Sequence, residues 1–108
     1  AILPVKEISN FIMGYEFTKL TPNTIVQPSE FLMDIERTRQ RGYAIDDEEN
    51  EIGGRCVAAP IIDFQGKPIA AISISVPVQR MPDEKVLEYG KLISNTARKI
   101  SRRFGVSV

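Results

Sequence analysis

Residues 55–76 read Arg55-Cys56-Val57-Ala58-Ala59-Pro60-Ile61-Ile62-Asp63-Phe64-Gln65-Gly66-Lys67-Pro68-Ile69-Ala70-Ala71-Ile72-Ser73-Ile74-Ser75-Val76, and this stretch decides the fold. Two apolar runs rich in β-branched residues, 55–62 and 68–76, predict two strands. The polar segment Asp63–Lys67 between them predicts a hairpin connection, with Gly66 at the position of positive φ. Side chains alternate faces along a strand. Ile69, Ala71, Ser73 and Ser75 therefore share one face, and Ala70, Ile72, Ile74 and Val76 the other. The second face is wholly apolar and should pack on helices, whereas the first carries two hydroxyls among small residues. If Asp63 faces Pro68 across a four-residue loop, Cys56 lies opposite Ser75 and Ala58 opposite Ser73. One register thus puts the thiol and both hydroxyls on one face, and a slip by one residue would separate them.

Outward from the hairpin, Tyr43-Ala44-Ile45 reads as a further short strand, followed by an acidic loop from Asp46 to Glu51 that ends in Gly53-Gly54. Before it, Pro28 opens a helix over 28–41 with Phe31, Leu32 and Ile35 as its apolar stripe. Arg37, Arg39 and Arg41 crowd its last turns, where cations complement the helix dipole, and Gly42 is the expected stop. Leu20-Thr21-Pro22-Asn23-Thr24 is a loop. A first helix spans about 5–13, with Pro4 in its first turn, Ile8, Phe11 and Ile12 on one face, and Gly14 to end it. Beyond the hairpin, Met81-Pro82-Asp83-Glu84 starts a last helix that runs to about Phe104. Its apolar seam is Val86, Gly90, Ile93, Ala97, Ile100 and Phe104, stepping by four and three. Gly90 and Ala97 allow close backbone approach there. The seam serves either core packing or contact with a partner. The order helix, helix, strand, hairpin, long helix gives an α+β fold, an antiparallel sheet packed with helices.

Composition narrows the function. The 108 residues suffice for one small domain. Lys plus Arg equals Asp plus Glu at 14 each, which gives no general attraction to nucleic acid phosphates or an anionic membrane. Cys56 is the sole cysteine and cannot form an internal disulfide, which suits a reducing cytoplasm. There is no histidine, so neither a zinc site nor a Cys–His nucleophile pair is expected. No apolar run approaches the ~20 residues of a membrane helix. No phosphate-binding glycine motif is present, no cofactor is expected, and an enzyme is disfavoured. Ala1-Ile2-Leu3-Pro4 lacks an initiator methionine and is apolar, so a chain cut from something longer is expected, with a processed or tag-cleaved N-terminus as the alternative.

Several motifs in order carry a family resemblance. Arg41-Gly42-Tyr43-Ala44-Ile45-Asp46-Asp47-Glu48-Glu49 resembles the turn signature of the IclR family of bacterial transcriptional regulators. Gly53-x-Arg55-Cys56-Val57-Ala58-Ala59-Pro60-Ile61 continues it, and Ala71-Ile72-Ser73-Ile74-Ser75-Val76-Pro77 is similar to a characteristic family strand. Leu20-Thr21-Pro22-Asn23-Thr24-Ile25 and the long last helix also match. Val76 departs from the pattern, where the family usually has glycine. The resemblance covers nearly the whole chain and implies the C-terminal portion of a GAF-like effector-binding domain, residues 1–108, with the winged-helix DNA-binding domain absent. It implies a small organic acid or sugar acid as effector, operator DNA only through the missing domain, and a homodimer or homotetramer.

By motif position the resemblance implies Asp46, Cys56, Ser73 and Ser75 as effector-binding residues. Hydroxyls suit Ser73 and Ser75 to donate to a carboxylate or carbonyl, although serines also sit on half-solvated sheet faces. Cys56 lines the pocket or is a small buried hydrophobe. An ionised Asp46 would repel an acid ligand, so it accepts from a ligand hydroxyl, braces the loop, or lies with Asp47, Glu48, Glu49, Asn50 and Glu51 on solvated surface. Arg55 alternates away from Cys56 and should pair with the acidic run. Two functions stay open: a ligand-sensing module, and a structural oligomerisation domain with no ligand.

Overall fold

The computed structural model describes residues 1–105. Three helices, α1 (Val5–Gly14), α2 (Pro28–Arg41) and α3 (Asp83–Arg103), accompany three strands, β1 (Ala44–Asp47), β2 (Gly54–Ile62) and β3 (Pro68–Pro77). The sheet is antiparallel in the order β1-β2-β3, so the architecture is α+β as expected. α2 occupies 28–41 with Pro28 in its first turn, and Gly42 closes it at φ 89° by donating its N–H to the Thr38 carbonyl.

The hairpin register sets everything that follows. Cys56 faces Ser75 and Ala58 faces Ser73, as the alternation requires. The hairpin end differs from expectation. Ile62, not Asp63, faces Pro68, with a register irregularity between Ile61 and Ile62. The turn itself is the cause. Asp63 Oδ1 accepts from the N–H groups of Gln65 and Lys67, and the Asp63 N–H donates to the Lys67 carbonyl, which closes the turn one step early. Gly66 takes φ 79° there.

One sheet face is the core. Along β2, Arg55, Val57, Ala59 and Ile61 are buried while the residues between them are half-buried. Val57, Ala59 and Ile61 pack with Tyr43, Met81, Ile93 and Ala97, and Ile45, Ile72, Ile74, Val86 and Ile100 fill in around them. The α3 seam is therefore core packing. The helix and its seam differ from expectation in three places. The helix begins at Asp83, because Met81 is pulled out of it into the core, fully buried. Phe104 lies beyond the helix and is exposed. Two serines join the buried face, Ser94 and Ser101, and Ser101 Oγ accepts the Ile62 N–H at 3.0 Å, which satisfies a backbone donor beside the register irregularity.

α1 and α2 lie differently. No residue of α2 is fully buried, and Ile8 is the only buried residue of α1. Phe11, Met13, Leu32 and Met33 are exposed. An aromatic cluster ties the two helices together. Phe11 stacks on Tyr15 with ring centroids 4.9 Å apart, Tyr15 meets Phe17 edge-on at 4.9 Å, and Phe17 meets Phe31 edge-on at 5.4 Å.

Candidate functional site

The sheet face turned away from α3 gathers the four residues singled out from the sequence. Asp46 of β1, Cys56 of β2 and Ser75 of β3 are direct Cα partners and form one row across all three strands. Ala44, Ala58 and Ser73 form the next row. Partnered residues in a sheet project to the same side, so all four share this face. Ser73 and Ser75 are exposed, whereas Cys56 and Asp46 are half-buried. The expected constellation is therefore brought together, with small alanines as the only neighbours in its second row.

The acidic run is not the solvated loop expected of it. Asp46 and Asp47 belong to β1, and residues 46–49 are all half-buried. Asp46 Oδ1 accepts the Glu49 N–H at 2.9 Å, so of its readings as a free residue the bracing one is realised. Glu48 turns the chain at φ 56°, the one non-glycine at positive φ among the described residues, and its Oε1 accepts the Gly53 N–H at 2.9 Å. Glu49 Oε2 accepts the Asp47 N–H at 3.1 Å. Asp46, Glu48 and Glu49 thus each satisfy a backbone donor.

Arg55 behaves as alternation demands. Its side chain is buried on the core side, where Nε and Nη2 donate to Asp47 Oδ1 at 3.0 and 2.8 Å. Nη1 donates to the Met81 carbonyl at 2.7 Å and pairs with Asp83 at 3.1 Å. The hydrogen bond to Asp47 holds the guanidinium firmly protonated. This fork ties β1 and β2 to the start of α3 and leaves Arg55 unavailable to the opposite face.

Electrostatics on the candidate face favour a neutral thiol. Burial pushes the Cys56 thiol up, the Asp46 carboxylate adds to that, and a hydrogen bond with Ser73 opposes it. A thiol so placed is a poor nucleophile. Glu49 is also pushed up, first by burial and further by the carboxylates of Asp34, Asp46 and Asp47, against the pull of its bond to the Asp47 backbone.

Beside Asp46 opens a cleft of about 280 Å³ lined by Tyr15, Phe17, Thr24, Ile25, Asp46 and Glu49 among others. Its far wall is the segment after α1, where the sequence predicts a plain loop over 20–24. The missed residues are Thr21, Asn23 and Thr24, which bond to the Asp47–Glu49 carbonyls. Two threonines spaced by three around Pro22-Asn23 are the available signal, since such side chains bond nearby backbone in turns. A second cleft, about 300 Å³ and mainly apolar, lies between Ala1–Leu3, Gly42–Ala44 and Ala58–Pro60. No helix among the described residues is long and apolar enough to cross a membrane.

Known proteins match this arrangement. The transcriptional repressor IclR of Escherichia coli K12 is 42% identical over 85 residues, covering 79% of this chain and 31% of that protein. The crystal structure of the Thermotoga maritima IclR superposes with a TM-score of 0.91 at 41% identity, covering 96% of this chain and 42% of that one. The inducer-binding domain of the Acinetobacter transcription factor PobR, solved as a double mutant in complex with 3-hydroxybenzoic acid, superposes with a TM-score of 0.82 at 29% identity, covering 93% of this chain and 58% of that one. The chain spans about a third of the length of the curated relatives it matches. Those relatives are transcriptional repressors rather than enzymes. Residues 1–102 match the family model described as the bacterial transcriptional regulator IclR C-terminal region, and the chain accordingly belongs to the IclR family of bacterial transcriptional regulators.

Proposed function

We propose that this chain is the ligand-sensing part of a DNA-binding regulator and that a small hydroxylated organic acid binds on the Asp46–Cys56–Ser75 face. The observation that carries this reading is the row itself: a carboxylate, a thiol and a hydroxyl aligned across three strands, with Ser73 beside them and a cleft at one end. The chemistry selects the ligand class. Ser73 and Ser75 donate to a carboxylate, and the second oxygen of Asp46 accepts from a ligand hydroxyl. Arg55 points to the other face, so no cation from the strands answers the ligand's charge. Neutral hydroxyls contribute about 0.5–1.5 kcal/mol each, which places affinity toward the millimolar end. The PobR domain, which holds an aromatic hydroxy acid, supports the class.

In this reading operator DNA is bound by a part of the regulator outside residues 1–108, the protein works in the cytoplasm, and ligand binding biases the arrangement of subunits. Such control requires different affinities for two states. The exposed Phe11, Met13, Leu32 and Met33 of α1 and α2 favour a second reading, a homodimer or homotetramer contact on that side. The two readings are compatible.

The test is a thermal-shift screen of small organic acids and sugar acids, with Ser73→Ala and Ser75→Ala alongside. An acid at a hundred times its Kd stabilises by about 2.7 kcal/mol, and each serine variant should lose about 0.5–1.5 kcal/mol of that. A shift that both variants keep in full would remove the ligand from this face, and no shift with any acid would favour the purely structural reading.

A further inference from the structure

The loop 20–24 is bonded more densely than a simple connection needs. Thr24 Oγ1 accepts the N–H groups of Leu20 at 3.1 Å and Thr21 at 2.9 Å, and its hydroxyl donates to the Glu49 carbonyl. Thr21 Oγ1 accepts the Asn23 N–H at 3.1 Å, and its hydroxyl donates to the Glu48 carbonyl. A hydroxyl has one proton and two lone pairs. With both protons committed to Glu48 and Glu49, Thr24 is used in full, while Thr21, which is buried, accepts one N–H and donates its proton. Asn23 Nδ2 adds a bond to the Asp47 carbonyl at 2.9 Å. Three consecutive carbonyls of the acidic turn are thereby held by one short loop.

The other side of that turn is Asp46. Its Oδ1 takes the Glu49 N–H, so Thr24 and Asp46 grip the same residue from opposite ends. Glu48 at φ 56° lies in a region that costs a non-glycine residue free energy and persists where surrounding contacts over-determine it. The threonine bonds supply such contacts. The same loop and turn form two walls of the cleft beside Asp46.

We propose that Thr21 and Thr24 are positioning residues for the candidate site, locking the 20–24 loop to the acidic turn so that the Asp46 carboxylate and the cleft wall are preset for a ligand. The ligand part of this rests on the effector reading above; the positioning of Asp46 does not. Valine keeps threonine's shape and removes the hydroxyl, so Thr24→Val frees the Glu49 carbonyl and lets the Asp46 carboxylate move from its place beside Cys56.

Cys56 reports this directly. It is the only cysteine, so iodoacetamide reads that residue alone. Asp46 of β1 is the charged group acting on its thiol, and the strand residues beside it on this face are Ala58, Ser73 and Ser75. Alkylation rates are compared at about pH 8, below the ordinary thiol titration near 8.5. Asp46→Asn should speed alkylation by removing a carboxylate that disfavours the thiolate. Thr24→Val should move the rate part of the way in the same direction, Thr24→Ser should keep the wild-type rate, and Thr24→Val should add nothing in the Asp46→Asn background. A folded Thr24→Val protein with the wild-type rate would overturn the proposal, as would full additivity with Asp46→Asn. If circular dichroism shows Thr24→Val unfolded, Asn23→Ala releases the exposed bond to Asp47 and is read the same way. The readout contains no ligand, so an effector screen without a hit leaves it standing. Any acid that shifts the wild type but shifts Thr24→Val equally would refute the link to binding.

Discussion

Gly90→Ala tests the packing between α3 and the sheet most sharply. A Cβ at position 90 would sit 2.3 Å from Cε2 and Cζ of Tyr43 and 2.6 Å from Cδ2. Side-chain carbons do not approach that closely, so something must move. Tyr43 cannot move freely, because the residue is only 5% exposed within the core cluster. Its carbonyl is also held by Arg41 Nε at 2.8 Å, with the Arg41 guanidinium 5.5 Å from the ring centroid. Two effects oppose. Alanine in a helix interior is favoured over glycine by about 1 kcal/mol. Overpacking a filled core costs about 1–3 kcal/mol, and an approach this close belongs at the top of that range. The clash wins, with a net loss of about 2 kcal/mol, or a melting temperature lower by roughly 8 °C or more. Urea unfolding followed by circular dichroism measures it as a lower midpoint at unchanged slope. In a Tyr43→Leu background the same substitution should lose most of its penalty, because the two residues touch and are not additive. A Gly90→Ala protein as stable as the wild type, or more stable, would refute the reasoning.

Two further outcomes follow from single bonds and charges. Ser101→Ala leaves the Ile62 N–H without its acceptor in a site where Ser101 is 2% exposed, and should cost about 1–3 kcal/mol in the same unfolding assay. Glu49 has a folded-state pKa raised above its ordinary value, chiefly by burial. The folded state therefore binds the proton more readily than the unfolded chain, and stability falls as pH rises from the ordinary carboxylate value through the raised one. Glu49→Gln keeps an acceptor for the Asp47 N–H without the charge, so unfolding midpoints across that window should flatten, with the variant the more stable above it. An unchanged slope would put the carboxylate outside this account.

Much of the fold was legible because it rests on local rules. Pro28 and Gly42 bracket α2 where their backbone preferences put them. The period of two in Ile72-Ser73-Ile74-Ser75 separates a core face from an open one, and the β2–β3 register then places Cys56 and both serines together. The hairpin end was misread because Asp63 closes its turn with side-chain bonds that the alternation does not encode. Met81 was assigned to the helix because its neighbours suit a helix start, yet the core takes its side chain.

Asp46 shows the boundary most clearly. As a string, Asp46–Glu51 is a run of acids and reads as solvated loop. In the fold, two of those acids extend β1, and the turn they enter is held by Thr24, 25 residues away in the chain. The sequence by itself determined the two hairpin strands, both ends of α2, the apolar face of α3 and the shared face of Cys56, Ser73 and Ser75, because each follows from a period or a backbone preference acting over a few residues. Only the tertiary structure decided that Asp46 completes that row, that Thr21 and Thr24 hold its turn, that Gly90 makes room for Tyr43, and that Ser101 answers Ile62. Those depend on groups that no local pattern relates, and they form because a buried donor, acceptor or ring must find its complement wherever packing brings one within reach.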